Sequence, residues 1–565
     1  MSTAMAPAAG FAGKSGHKPK MASADRLLLA VSLVVPVLGL SLFFLYPLGL
    51  VAWRSLVGLD GSIGLGNYAS VLASPGIRTA TINSLWISAL TTAVCVVLGF
   101  ILAYALQRSS ISGKGLVRAS LALPLLAPSL VQALGLIFLL GRNGVVSQWT
   151  GWTIDIYGPV GLLIANVLYG LPQAVLIIEA SLRHSDARYY DAAEVMGASH
   201  WQQFRDITLP NAKFGMLSAG FVVFTVTITD FGNAAVIGGD YRVLATEIYR
   251  QVVGQMNFGM GAVVGILLLI PTLVAVYIQR VASQRQFGGG SESAIPVQPS
   301  WLPARDLPLG MAVFAISLCM IVVVATVVLA SFMFLWPYRM EFTLRNYVIT
   351  LSGGYTPLWT SLLISLMAAG FGVVLLFLMA FAQKRLPPAL ARLLYFGAIL
   401  PVGVPGLVLG LAYVLAFNVS DSVLGLLYGT TVIIALCNFY HYHSQGFLTM
   451  VTGMRSVPPA LEESVTCLGG GLRCVLRDAI LPFLTATTVS VFFFLFMRSM
   501  VTLSAVIFLF TPQVMPASVT VMRLDEAGFT LQAAAFSTCI MITVALAMLL
   551  MRVAMTYLGR KKAGA

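Results

Sequence analysis

With 565 residues, 58% of them hydrophobic and 9% charged, and a mean hydropathy of +0.91, the chain lies far from the roughly one-quarter charged composition of soluble domains. A water-soluble globular enzyme is excluded. The net charge of +13 arises from 33 Lys and Arg against 20 Asp and Glu. These cations occupy short runs between apolar segments and not one basic surface, which excludes nucleic-acid binding.

Apolar runs near the ~20 residues needed to cross a bilayer set the organisation. Residues 1–25, rich in Ala, Ser, Gly and Lys, read as a disordered N-terminus. Six runs follow near 27–53, 84–106, 117–140, 159–181, 215–237 and 260–279, then six more near 308–336, 361–382, 392–416, 423–445, 484–510 and 531–551. The first is long enough to be a retained span and not a cleaved signal. Segment 283–306, containing Gln286-Phe287-Gly288-Gly289-Gly290-Ser291, reads as a flexible linker, and 558–565 as a basic tail. The predicted domains are therefore 26–282 and 307–557. Placing the N-terminus in the cytoplasm puts 24 of the 33 Lys and Arg in cytoplasmic segments and 8 outside, with Arg498 within a span. Both termini are then cytoplasmic. None of the six cysteines forms a CxxC pair, so no zinc site or disulfide framework is expected.

The halves repeat. Ser84, Arg108, Pro124 and Pro128 lie 277 positions before Ser361, Arg385, Pro401 and Pro405. Six spans is an even number, so the copies enter the membrane in the same sense as a parallel repeat. The predicted fold is an all-α membrane protein of twelve transmembrane helices arranged as two parallel six-helix repeats.

Between the fourth and fifth spans of each half runs a longer cytoplasmic loop. It carries Asp191-Ala192-Ala193, Gly197 and Leu209-Pro210 in the first half, and Glu463-Ser464-Val465, Gly469 and Leu481-Pro482 in the second. In both, an acid stands six residues before a glycine, and Leu-Pro closes thirteen after it. The spacing predicts a short helix, a left-handed glycine, a second short helix opened by a Ser199/Gln202 capping box, and a proline at the entry to the next span. The Ala pair offers a flat face to a packing partner.

These loops resemble the EAA loops of permeases in binding-protein-dependent ABC importers, and the duplicated layout resembles the fused two-domain members of that family (type I-like importers). The resemblance implies a bacterial inner-membrane permease with no catalytic residues and no cofactor of its own. Its partners would be two ATP-binding subunits, which hydrolyse the ATP, and a periplasmic or extracellular solute-binding protein. The ATPase-coupling residues would be Asp191, Ala192, Ala193, Gly197 and Pro210, with Glu463, Ser464, Val465, Gly469 and Pro482. Asp191 stands where the family has Glu, and Ser464-Val465 replaces the Ala pair. The nearest approach to a phosphate loop, Gly10 to Ser15, lacks the first glycine of the pattern, where Ala8 stands.

Charges within spans are candidates for a solute path, here Arg498 near the middle of the eleventh span and Asp230 toward the outer end of the fifth. Asp230 reads as structural because of its position near the surface, as does Glu179 at the inner end of the fourth. His441 and His443 do not share a helix face and read against a metal site. Arg78, Asp240, Arg242, Glu247 and Asp525 read as external charges for docking a binding protein. The stretches 126–135 and 229–265 resemble 2-aminoethylphosphonate permeases; more broadly, Leu503 to Leu509 and Leu524 to Gly528 resemble ferric-iron permeases. An ion-coupled secondary transporter is the alternative from another class.

Overall fold

The computed structural model describes residues 23–58, 60–152, 154–183, 185–287, 295–349, 353–419 and 422–563. The predicted disordered segment and the near-miss phosphate loop fall almost wholly outside these residues, as do 288–294 of the linker. Among the described residues, ten helices are long and apolar enough to cross a membrane, or eleven when a bent pair counts as one span.

The first half comprises α1 (Ser23–Ser55), α2 (Pro75–Arg108), α3 (Lys114–Ala122), α4 (Leu130–Leu140), α5 (Pro159–Arg183), α6 (Ala187–Val195), α7 (His200–Ile228), α8 (Gly232–Ile237) and α9 (Phe258–Phe287). The second comprises α10 (Pro303–Ser331), α11 (Thr356–Arg385), α12 (Pro388–Ile399), α13 (Gly406–Phe417), α14 (Thr431–Arg455), α15 (Pro459–Cys467), α16 (Leu472–Val501), α17 (Ala517–Glu526) and α18 (Thr530–Ala563). A short hairpin, β1 (Met333–Leu335) with β2 (Arg339–Phe342), follows α10.

All twelve predicted runs contain helix, but several are interrupted. Prolines at 124, 128, 401 and 405 remove backbone donors, so the third run splits into α3 and α4 and the ninth into α12 and α13, the latter pair bent by 104°. The fifth run ends at Ile228, not 237, because the Asp230 carboxylate accepts from the Asn233 amide (2.9 Å) and starts α8 afresh. The eleventh ends at Val501 and continues as turns. Helix α14 is less apolar than the other spans because Asn438, His441, His443, Ser444 and Gln445 lie in its middle. Lipid does not have to solvate them, since all but His441 and Gln445 are buried in protein.

Side-chain to backbone hydrogen bonds repeat between the halves. Asn67 donates to the carbonyls of Ser55 (3.1 Å) and Val57 (2.8 Å), and Asn346 to those of Ser331 (3.1 Å) and Met333 (2.7 Å). The Ser84 hydroxyl accepts from the Leu244 amide at 2.7 Å, and the Ser361 hydroxyl accepts from the Ala517 amide at 2.7 Å. Such bonds satisfy polar backbone in an apolar medium, each contributing about 1 kcal/mol net. The sequence offset of 277 positions falls to 272 after the longer Gly141 to Pro159 connection, so Tyr190 and Asp191 correspond to Glu462 and Glu463.

The first helix of each half packs on the other half. Helix α1 lies against α11, and α10 against α3 and α4. Gly135 of α4 permits this approach, since a Cβ there would stand 2.5 Å from the Val323 carbonyl oxygen of α10. One continuous apolar core therefore runs through both repeats.

Candidate functional site

At the end of the bundle where α1 and α10 begin, the two loops fold into matching elbows. In each, a short helix ends in a left-handed glycine, Gly197 at φ 77° and Gly469 at φ 84°. Gly197 donates to Glu194 (2.9 Å) and Ala198 to Ala193 (2.9 Å); Gly469 donates to Thr466 (2.9 Å) and Gly470 to Val465 (3.0 Å). These are Schellman closures, which require the positive φ that glycine tolerates.

The residues that turn the chain back into the membrane differ. Ser199 and Gln202 form the expected capping box at the start of α7. The equivalent of Ser199 is Gly471, which has no side chain, and Asp25 of α1 supplies the cap instead by accepting from the Leu472 amide (3.1 Å). The expected second short helix is not separate in either half. It runs into the following span through a wide turn, Phe204–Thr208 or Val475–Ile480, directly before Leu-Pro. A proline ring would clash with the carbonyl four residues earlier, and a π-type turn relieves that clash. Pro210 and Pro482 are exposed there.

Each elbow is held by the arginine that ends the second span. Arg108 is buried, donates to the Leu182 carbonyl (3.2 Å) and lies 5.0 Å over the Tyr190 ring of α6. Its repeat partner Arg385 pairs with Glu462 of α15, to which Lys384 also donates at 2.6 Å. Burial pushes the Glu462 carboxyl up, but the hydrogen bonds and charges of Lys384 and Arg385 outweigh it and leave it below the ordinary glutamate value. Asp186 caps α6 through the Arg188 amide (3.1 Å), and its hydrogen bonds to the Arg188 side chain hold it at about 2. The end of the linker is tied to the same residue. Ile295 donates to the Asp186 carboxylate (3.4 Å) and accepts from Ala187 (2.8 Å). The linker is thus not flexible throughout, since 295–302 straps the first elbow. Glu179 is structural, bonded to Gln107 (2.7 Å), Arg118 (3.3 Å) and Arg183 (3.3 Å).

Asp191, Ala192, Gly197, Glu463, Ser464 and Gly469 are exposed. Ala193 is buried and Val465 half-buried, so the expected flat Ala pair is reduced to Ala192. The sequence reading passed over the residue before each glycine: Met196 is 79% and Leu468 90% exposed, two large apolar side chains at the elbow tips. Their equal placement before Gly197 and Gly469 was the available signal.

Midway along the bundle is a cavity of about 130 Å³ to which Tyr169, Asp230, His441, Tyr442, Arg498 and the broken segment 401–405 contribute. Asp230 therefore belongs with Arg498 and not to the surface. The Arg498 guanidinium lies 4.8 Å over the Tyr442 ring and faces Tyr169. His443 points away, against the Ala398 carbonyl (3.1 Å). Glu247 is buried and bonded to Arg250 (2.8 Å) and Gln251 (2.7 Å), which removes it from the external docking charges.

Residues 95–288 match the family model described as binding-protein-dependent transport system inner membrane component. The chain is thus similar to ABC permease subunits. Over 514 residues the chain is 27% identical to a Haemophilus influenzae protein named putative ferric transport system permease protein FbpB 1, covering 87% of this chain and 80% of that relative. Over 262 residues it is 23% identical to the putative 2-aminoethylphosphonate transport system permease protein PhnU of Salmonella typhi, covering 45% and 91%. A crystal structure of a bacterial ABC transporter involved in the import of the acidic polysaccharide alginate covers 47% of this chain and 97% of its own chain, at 19% identity and a TM-score of 0.40. These relatives are named as permease proteins of transport systems, and the ferric resemblance is the broader of the two expected.

Proposed function

We propose that this chain is the permease of an ABC importer, a fused, two-domain subunit with domains 26–282 and 307–557 that receives two separate ATP-binding subunits on its paired elbows and an external solute-binding protein on its opposite end. The observation that carries this reading is the pair of elbows at one end of the bundle, identically closed at Gly197 and Gly469, each with an exposed apolar tip and each fixed to the end of a span. A surface of that kind transmits a push from a docked partner to the helices behind it. Asp191, Ala192, Met196, Glu463, Ser464 and Leu468 make the contact, the glycines give the elbow its shape, and Pro210 and Pro482 mark where the motion enters α7 and α16.

ATP-driven closure of the partners tilts the two bundles and switches the central cavity between the two sides of the membrane, each state being favoured by its own contacts. ATP is held by the partners and no cofactor by this chain. The charge asymmetry of the loops supports a cytoplasmic position for the elbows and both termini, including tail 558–565. Small oxyanion solutes of the 2-aminoethylphosphonate type are the proposed cargo. A ferric cargo is the second reading, favoured by the 87% of the chain over which the ferric-named relative aligns.

Reconstitution with the ATP-binding and solute-binding proteins tests this reading. ATP-dependent uptake of 2-aminoethylphosphonate supports it. Uptake driven by a proton gradient without ATP supports the ion-coupled carrier instead.

A further inference from the structure

We propose that the central cavity binds a small solute carrying an oxyanion at one end and an ammonium at the other, with Arg498 and His441 receiving the oxyanion and Asp230 the ammonium. The proposal deepens the transport reading and rests on it.

Three observations converge. First, Arg498 is held by the Tyr169 and Tyr442 side chains but makes no ion pair among the described residues, and its Nε is buried without a hydrogen-bond partner. A guanidinium in a membrane interior normally has a partner, because desolvating it is costly. Second, the fold does not require it. At the 272-position offset Val226 is its repeat partner, on the equivalent helix and lining the same cavity, so the first half builds the same span with an apolar residue. Third, His441 in the same cavity also has a buried ring nitrogen, Nδ1, with no partner. The broken segment ahead of α13, where the chain bends by 104°, completes the wall with Val404 and Pro405.

Asp230 fixes the rest of the ligand. Its carboxylate accepts from the Asn233 amide and shares the cavity with Arg498 without pairing to it. Separate fixed charges of opposite sign in about 130 Å³ match a molecule with opposite charges at its two ends. A solute with anionic groups alone meets Asp230, and a bare metal cation meets Arg498.

The test uses the full chain in lipid nanodiscs, with phosphorus NMR line broadening of 2-aminoethylphosphonate and of ethylphosphonate, which lacks the amine. The wild type should bind the aminophosphonate about tenfold more tightly than ethylphosphonate. Arg498→Val, which copies Val226, should weaken both by about tenfold to a hundredfold, the range for charge-assisted hydrogen bonds. Asp230→Asn should abolish the preference between the two probes. Each variant's thermal unfolding is measured beside the wild type's, and an Arg498→Lys variant that restores part of the binding separates charge from folding. No binding by the wild type, equal binding by Arg498→Val, or no wild-type preference for the amine would overturn the proposal. Stimulation of the ATP-binding subunit by the wild-type chain is read in the same discs. Stimulation without probe binding defeats the site alone, whereas absence of stimulation defeats the transport reading.

Discussion

Glu462 is the point at which the second elbow can be loosened without disturbing the span behind it. Its carboxylate accepts from Lys384 (2.6 Å) and pairs with Arg385, and its side chain is 12% exposed against 25% and 27% for the two cations. Glu462→Gln keeps the shape and removes the charge. Breaking a fully buried pair costs 3–5 kcal/mol, but water reaches both cations here, so a loss of about 2 kcal/mol is expected. That corresponds to roughly a 30-fold rise in the local opening equilibrium. It should appear as faster amide exchange confined to α15 (Pro459–Cys467), measured on the full chain in nanodiscs, with exchange in α11 unchanged. The same contact should depend on acid. A carboxyl whose folded value is depressed contributes stability that is complete above its unfolded value, near 4.3, and is lost as pH falls through the lower folded value. Exchange in α15 should therefore be flat through neutral pH and accelerate below about pH 4 in the wild type, and be insensitive to pH in Glu462→Gln once intrinsic rates are removed. Unchanged exchange in α15, or acceleration spread over the whole bundle, would refute this view of Glu462 as a local anchor.

Other consequences are equally direct. Asp186→Asn should release the strap at 295–302, seen as faster exchange there; in the wild type the carboxyl is held at about 2, so that contact should be constant between about pH 5 and 7 and weaken as pH falls from about 4 toward 2. Gly135→Ala should lower the unfolding temperature, since the new Cβ would stand 2.5 Å from the Val323 carbonyl and 2.7 Å from its Cγ1, an overpacking cost of about 1–3 kcal/mol. Ser84→Ala and Ser361→Ala should destabilise the chain by similar amounts, about 1 kcal/mol each, because each removes the same 2.7 Å bond from one repeat; unequal losses in chemical unfolding would contradict their equivalence.

Much of this architecture was legible because a bilayer demands it. Apolar runs had to be helices, and the spacing of Pro124 with Pro128 and Pro401 with Pro405 exposes the repeat in the sequence alone. The elbow closures were readable from Gly197 and Gly469, since few other residues accept a left-handed turn. Interruptions written in apolar letters were not readable. Nothing in the composition of 215–237 signals that Asp230 restarts the helix, or that 502–510 is turn. Asp230 was assigned to the surface by counting along a straight helix, and the break at 229–231 is what carries it into the cavity with Arg498. Long-range exchanges were also invisible. The Asp25 cap on Leu472 and the strap of Ile295 on Asp186 link residues hundreds and about a hundred positions apart, and only the crossing of α1 and α10 to the opposite half brings them together.

The elbows are tested most directly by replacing Gly197 and Gly469 with proline together in the chain reconstituted with its ATP-binding and solute-binding proteins, and measuring ATP hydrolysis and solute uptake in the same vesicles. Hydrolysis should continue while uptake falls to background. Uptake at the wild-type rate in the doubly substituted chain would contradict the assignment of these loops as the link between ATP and transport.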